Sequence, residues 1–578
     1  MPGAPCLVDT KRLPRNYALN WRTNPTATIT NEFVAGYSRY FLDFPSPTQD
    51  LKNPTLVAPL GITILTATTF GNARELKTFQ FVDNLSYFKG QHAIKGGTNL
   101  RFVQYLDTRG SIGGQNSALV VNFDRTINTI NPQAFGLPAG IQQANDRVAL
   151  ESMINLLLGR VGSAAQGFVA EGNAFRTGTF NFDSRYYEYD FYLQDSWKLS
   201  KRLTVDLGMR LEGRRAPSSA GQKPILTAGQ AIAAGISPSN TLRWSPGKLY
   251  RSDWNNWSPS IGFAWDPMGD GKTSIRSNYR LADDRLPTFL LSSFLLPSMP
   301  GSVLGEVNSA YGSAGGRLSG LPSLQPSRTP ADLAQPVPFS LATNTVVDPN
   351  LETPQTHMWS FGIQRQIADR TVVEINYIGR RAHNLLGGYN VNQAEIRSNG
   401  FLDAFKVPQA GGESTLLDRL TSADSSRNAG ESGAAYLRRQ FGPDLRLNNV
   451  GGVATGLAQR SQSGTNLSNA SGLGPYFFFP YHQFSGGLNV VDSNDVSTYH
   501  ALQVTLNRRF QSGASLSAFY TWSKSLDTRS YDPAFALARG GSTQIAANTP
   551  FEINNRKLNY AVSDFDRTHQ LQMIGVQE

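Results

Sequence analysis

The chain has 578 residues, with 53 Lys+Arg against 43 Asp+Glu for a net charge of +10, yet charged residues make up only 17% of it. An apolar fraction of 40% with 11% aromatics excludes a disordered chain, and no run approaches the ~18 uninterrupted apolar residues of a membrane-spanning helix. The 54 glycines and 32 prolines lean toward turns and β structure, and a mean hydropathy of −0.31 does not argue for solubility, because a membrane barrel alternates apolar and polar residues and averages out polar.

At the start of the chain, Met1–Pro5 shows neither the basic nor the apolar region of a signal peptide, so the chain is either cytosolic or lacks the start of a longer precursor. The single cysteine, Cys6, excludes an intramolecular disulfide framework and a cysteine metal cage. A first hairpin is expected from Tyr17–Arg22 to Thr28–Phe41 through Asn24-Pro25. From Thr78 to Phe88, Phe79, Phe81, Asp83, Leu85 and Tyr87 share one face. After the tight turn Lys89-Gly90-Gln91, Ile94, Thr98, Leu100 and Phe102 oppose Lys95, Asn99 and Arg101. This period-two pattern is that of a β-hairpin with one apolar and one polar face.

Asp146–Arg160 is the exception: Val148, Met153, Ile154, Leu157 and Leu158 recur at helical spacing, predicting a short helix that packs on the rim of the sheet. Alternation then resumes. Tyr187, Tyr189, Phe191, Leu193, Trp197 and Leu199 face one way, and Glu188, Asp190, Tyr192, Gln194, Ser196 and Lys198 the other. Past the turn Ser200-Lys201, Leu203, Val205, Leu207, Met209 and Leu211 oppose Arg202, Thr204, Asp206, Arg210 and Glu212. Further hairpins pair Ile261, Phe263 and Trp265 with Ile275 and Tyr279, Trp359, Phe361 and Ile363 with Val373, Ile375 and Tyr377, and Leu502, Val504, Leu506 and Phe510 with Leu516, Ala518, Tyr520 and Trp522.

The connections decide the architecture. Strands within a hairpin are a few residues apart, whereas successive hairpins are separated by the long segments 43–77, 106–179, 213–256, 282–355, 380–498 and 526–566. Loops beyond ~15 residues are uncommon in compact soluble domains. Six of them on alternate connections place every short turn at one end of an up-and-down barrel and every long loop at the other. That is the pattern of an outer-membrane barrel with short periplasmic turns and long extracellular loops. Several runs reach ~10–14 residues, as tilted membrane strands require, and Trp197, Trp359 and Trp522 are placed near strand ends like interfacial aromatics. On this reading Leu203, Val205, Leu207 and Leu211 face lipid. The lumen-facing residues are Lys95, Arg101, Glu188, Asp190, Arg202, Asp206, Arg210 and Arg276.

Other chemistry finds little support. Gly271-Lys272-Thr273 lacks the preceding glycine of a phosphate loop, since Asp266 stands there, and leads into a strand; a hairpin turn is expected. His92, His357, His383, His482, His500 and His569 show no ligand spacing, Asp283-Asp284-Arg285 reads as a solvated turn, and no Ser/His/Asp arrangement is evident. The charge excess is spread rather than clustered, so no nucleic-acid partner is expected. Neither enzyme activity nor a cofactor or metal is called for. In the longest loop the cluster Tyr476-Phe477-Phe478-Phe479-Pro480-Tyr481 either packs the loop on itself or touches ligand, making Tyr476, Phe477, Phe478 and Tyr481 ligand-binding candidates.

The segments "FVDNLSYFKGQHAIKGGTNLRF", "YYEYDFYLQDSWKLSKRLTVDLGMRLEG", "WSPSIGFAWDPMGDGKTSIRSNYRL", "MWSFGIQRQIADRTVVEINYIGRRAHNL" and "STYHALQVTLNRRFQSGASLSAFYTWSKSLD" together resemble the barrel of TonB-dependent transporters, nearest the Oar-like branch. The resemblance implies a barrel of about 22 strands with a plugged lumen in the cell outer membrane. It also implies energised uptake of a bulky substrate through the TonB complex. The chain departs from that pattern: no plug, TonB box or regulatory-like module precedes Asn20, and Asp566-Arg567-Thr568-His569 opens a strand that stops at Glu578. The expectation is therefore an all-β, transmembrane antiparallel barrel, incomplete, with about 13 strands of the larger set, residues 1–578 forming one partial barrel domain. Its sheet should be open, its two terminal strands unpartnered on their outer edges and its lumen without a plug. A structural or adhesive surface barrel is the alternative. A soluble all-β enzyme or lectin would need ligand groups converging at one end of a core, and no such set is apparent.

Overall fold

The computed structural model describes residues 9–45, 54–57, 71–112, 115–123, 136, 144–171, 174–219, 250–286, 288, 302–327, 344–462, 465–481, 487–510, 513–530, 552 and 555–577. Thirteen long strands form one antiparallel sheet in chain order: β1 (Lys11–Thr26), β2 (Ile29–Phe44), β3 (Asn72–Lys89), β4 (His92–Arg109), β5 (Phe180–Ser200), β6 (Leu203–Ser219), β7 (Asp253–Trp265), β8 (Thr273–Asp283), β9 (Gln355–Ala368), β10 (Thr371–Asn390), β11 (Leu488–Arg509), β12 (Ser515–Asp527) and β13 (His569–Val576). Each pairs with its sequence neighbours. Among the described residues no ladder joins β1 to β13, so the sheet is open, and residues 11–44 are wall strands rather than a plug.

All six tight turns lie at one end. Gly90 (φ 59°) serves the β3–β4 turn, where the left-handed backbone favours glycine. In the β7–β8 turn the Asp266 carboxylate accepts hydrogen bonds from the N–H groups of Gly269 and Gly271 at 2.8 and 3.0 Å, and the chain enters β8 at Thr273. The Gly-Lys-Thr segment is thus a braced hairpin. The first turn is displaced from its expected place: β1 continues through Asn24-Pro25 with a register shift between Thr23 and Thr26, because Pro25 cannot donate to the ladder.

One face of the sheet is apolar and bare. It carries Phe79, Phe191, Leu193, Leu207, Met209, Trp257, Ile261, Phe361, Ile375 and Trp522, each 43–61% exposed, and β1 continues it with Leu19 and Trp21. Burial in a soluble core is excluded, so only an apolar solvent accounts for this face. Trp197 lies close to the turn end of β5 and stacks on His92 (5.2 Å), whereas Trp359 and Trp522 stand four and five residues inside the loop ends of their strands.

The long connections are built, which their composition does not suggest. Short strands from three of them, 55–57, 120–122, 163–171, 174–176 and 302–307, form a second sheet over its own core of Val121, Phe123, Val161, Ala164, Phe168 and Leu324. Helix α1 (Ala144–Leu158) forms where periodicity places it, but the other way round. Glu151 and Asn155 are fully buried while Val148, Leu157 and Leu158 are exposed, because the helix docks through its polar side.

Candidate functional site: a charged wall beneath a folded cap

Strand alternation sets the wall. On the polar face Glu188 pairs across with Arg101 on one side and Arg214 on the other, and Asp190 with Asn99 and Glu212. Asp190 is 2% exposed and takes Arg210 at 2.9 Å and Arg214 at 2.5 Å. Glu212 holds Arg210 at 2.5 Å and also Arg214, and Glu188 takes Arg101 at 3.3 Å. Arg285, from the connection after β8, reaches down to Glu188 at 3.1 Å and Asp190 at 3.6 Å. Four guanidiniums thus surround three carboxylates, each partner offsetting the other's desolvation. The lattice holds a loop against the wall as well as charging it.

The named wall residues divide. Lys95, Arg101, Glu188, Asp190, Asp206, Arg210 and Arg276 all fall on this one face by register. Arg202 does not: it sits in the β5–β6 turn, exposed, its N–H bonded to the Ser200 hydroxyl at 3.1 Å. Lys95, Asp206 and Arg276 are exposed near the turn end, away from the ion-pair lattice. Arg214 and Arg285 escape sequence reading because the alternation is followed along β6 only as far as Glu212; carrying it one step further, to Arg214, finds the first.

Toward the loop end the same face turns apolar. Val103, Tyr105, Phe180, Phe182 and Tyr186 are buried under Val347, Leu351 and Val491. Beside them a small cleft is lined by Tyr186, Glu188, Arg214, Tyr250, Asp253 and Leu286. Burial pushes the Tyr250 phenol well up, and Asp253 and Glu188 add to it, so the group stays neutral. On the far side Arg556 spans Asp492 (2.5 Å) and Asp495 (3.1 Å) over the Tyr389 ring, and Arg529 binds Asp495 at 2.8 Å, pinning the connection after β12 to the wall.

Above β10 and β11 stands a helical insert: α2 (Phe401–Gln409), α3 (Thr415–Leu420), α4 (Gly433–Gln440), α5 (Gly442–Arg446), α6 (Val450–Ala458) and α7 (Leu467–Ala470). Ser414, Ser432, Asn449 and Asn466 cap four of these helices through their side chains. Its core holds Phe401, Phe405, Leu417, Leu420, Tyr436, Leu437, Val453 and Leu457, all fully buried. In it Asp424 accepts from Tyr436 Oη at 2.6 Å and from Arg460 at 2.7 Å. Burial pushes the Asp424 carboxyl up, but hydrogen bonds from Tyr436, Ser426 and Arg460 outweigh it and hold it down to about 2.

The aromatic candidates separate here. Phe478 is 2% exposed, edge-on to Phe401 at 5.0 Å, and Phe477 packs against it at 4.8 Å, so both belong to the core of the insert. Tyr481 closes the neck, its N–H and carbonyl bonded to the Asn392 side chain at 2.9 Å each. Only Tyr476, 38% exposed, faces solvent. Among the described residues no group of three or more His, Cys, Asp or Glu is placed to hold a metal ion, and His482 lies outside them.

Comparison with known proteins supplies the context for this geometry. Residues 8–578 match the family described as outer membrane beta barrel domain. No curated protein matches the chain. Solved structures of similar fold include the outer membrane transporter YddB from Escherichia coli, at 11% identity, TM-score 0.40, covering 92% of this chain and 44% of that one. The FrpB iron transporter from Neisseria meningitidis is 10% identical, TM-score 0.37, with 89% and 45% covered. The siderophore receptor PirA from Acinetobacter baumannii is 8% identical, TM-score 0.37, with 90% and 48% covered. The chain spans less than half the length of these structures.

Proposed function

Because the chain belongs to the outer membrane beta barrel domain family and so to the cell outer membrane, we propose that it is the wall and cap of a TonB-dependent transporter that captures a bulky substrate outside the cell and admits it by energised uptake. The apolar face meets lipid and the polar face lines a wide lumen. One observation carries the reading: the long connections converge as folded bodies over a wall charged by Arg101, Glu188, Asp190, Arg210, Glu212 and Arg214. In the transport reading the loops descend into that charged interior to close it over a captured cargo. Arg285 joining Glu188 and Asp190 is such a descent. The polar wall suits a hydrophilic cargo, and the exposed Tyr476 is the aromatic on the insert best placed to meet it.

The test uses the full-length protein in cells. In-cell photocrosslinking should join it to TonB, and more so in the presence of its cargo. Uptake of labelled metal chelates and oligosaccharides, screened against a deletion strain, should stop when the proton gradient is collapsed. Crosslinking absent under every condition, with cell-surface attachment lost in the deletion strain, would replace transport by the adhesive reading.

A further inference from the structure

We propose that the apolar face at the loop end of β9–β11 carries a binding site for the phosphate group of an outer-leaflet lipid, formed by His357, Arg381 and His500, with His383 bracing it. The proposal rests on the membrane placement of the sheet and not on transport.

The distribution of histidine points to it. The five described histidines, His92, His357, His383, His500 and His569, all lie on the apolar face by register, and none on the polar face, where water would solvate them without cost. An imidazole in hydrocarbon is costly unless it finds polar partners, so three of them near one level, His357, His383 and His500, need an explanation.

Their height supplies it. Counted from the turn ends of β9, β10 and β11, His357, Arg381, His383 and His500 stand nine to twelve residues up. At about 3.4 Å per residue and a tilt of about 40° that is roughly 23–31 Å, at or just above the top of an apolar band ~25 Å tall. They stand where lipid head groups begin.

The rings are held in place. Tyr279 Oη meets His357 Nδ1 at 2.8 Å and Tyr377 Oη meets His500 Nδ1 at 2.7 Å. The same diagonal pairing recurs from Tyr520 to His569 at 2.8 Å. In the tautomer in which Nδ1 accepts from the tyrosine hydroxyl, Nε2 of His357 and of His500 carries the N–H, and it has no partner among the described residues. His383 stacks on His357 at 5.2 Å, with its Nε2 fixed by Gln355 Oε1 at 3.1 Å. Arg381 lies directly across from His357 and is exposed. Glu352, at the loop end beside them, is engaged by the Asn384 amide at 2.8 Å. The result is two outward N–H donors, on His357 and His500, beside one fixed positive charge, with His383 spent on Gln355 and bracing the His357 ring; that set matches a phosphate oxyanion.

The full-length protein in nanodiscs of zwitterionic phosphatidylcholine tests this. The nanodiscs are doped with a bisphosphorylated glycolipid (lipid A) or its dephosphorylated counterpart, and native mass spectrometry counts retained lipid. The phosphorylated form should be retained in preference. Arg381→Gln alone should lower its retention about tenfold, the loss of one charge-assisted contact. Tyr279→Phe with Tyr377→Phe should lower it less, since those hydroxyls only orient the rings. A heat-modifiability gel confirms that each variant is folded. Equal retention of the two lipids, or unchanged retention in folded Arg381→Gln, overturns the proposal whether or not the protein transports anything.

Discussion

Placing a charge on the apolar face tests the membrane assignment most directly. Leu193 is 61% exposed and faces the same way as Met209, its direct partner on β6. It stands seven residues from the turn end of β5, roughly 18 Å up a strand tilted by about 40° and so well inside the ~25 Å band. Arginine costs ~2–4 kcal/mol at the bilayer midplane and ~0–1 at its edges, so Leu193→Arg should cost about 2–3 kcal/mol. Leu207 is a poorer probe than its exposure suggests. Asp195 lies directly across from it, paired to His92 at 2.6 Å, and would receive an arginine placed at 207. Asp206→Arg, on the polar face and exposed, is the control and should stay within ~0.5 kcal/mol. Denaturant titration of the full-length protein in lipid vesicles measures both. Equal losses, or a larger loss for Asp206→Arg, would refute the facing of the whole wall, because the register links every strand to β5 and β6.

Further predictions concern topology, the insert and the ion lattice. An epitope tag after Gly430, exposed in the insert, should be labelled on intact cells, and one after Gly513, in the β11–β12 turn, only after permeabilisation; the reverse pattern would invert the orientation. The Asp424 carboxyl, held at about 2 against an ordinary value of 3.8, stabilises the insert fully above pH ~4 and loses that contribution as pH falls from ~4 to ~2, about 2 kcal/mol in all. Hydrogen exchange of α3 and α4 should show that loss in the wild type and a flat response in Asp424→Asn. Phe478→Ala should cost the insert ~3–5 kcal/mol as a core truncation, and Tyr476→Ala little, as read by proteolysis of the insert. Arg214→Met leaves Asp190 and Glu212 with Arg210 as their one shared cation and should cost ~1–3 kcal/mol in the same vesicle titration.

The hairpins are legible in the sequence because a two-sided sheet writes its solvents directly into period two: Phe191 and Leu193 against Asp190 and Gln194 need no tertiary knowledge. The alternation of short and long connections is equally local, and it orients the wall. What lies in the long connections is not. The loop sheet is made of strands three to nine residues long drawn from three connections, so its pairing is non-local and its periodicity too brief to read. The insert hides for a similar reason: helices of four to nine residues give only isolated pairs such as Phe401/Phe405 and Leu417/Leu420 in a Gly- and Ser-rich background. Gly433 shows the cost of that reading. It looks like a breaker but lies in α4 against the Leu417 backbone, where a side chain would collide. In α1 the apolar spacing is real, yet the buried side is Glu151 and Asn155, since docking is decided by partners on other connections.

The open edges of the sheet carry a last consequence. β1 runs for sixteen residues with Leu13, Tyr17, Leu19 and Trp21 turned out and 48–66% exposed, the facing of every interior strand. Its outer backbone groups would meet hydrocarbon, at several kcal/mol for each unpaired one, which no domain stability can sustain over a whole strand. In the membrane both edges must therefore be paired. They do not suit each other: in an antiparallel run of thirteen strands, β1 and β13 point the same way, so a direct junction would be parallel where all twelve existing junctions are antiparallel. The edges should instead meet other strands of the assembled barrel. In full-length protein with Cys6→Ser, oxidation of a Leu19→Cys/Ala35→Cys pair, direct partners across β1 and β2, should crosslink readily. A Leu19→Cys/Leu571→Cys pair, one residue on each edge, should not. Efficient bonding of the second pair would show that β1 and β13 close on each other and that the thirteen strands make a barrel by themselves.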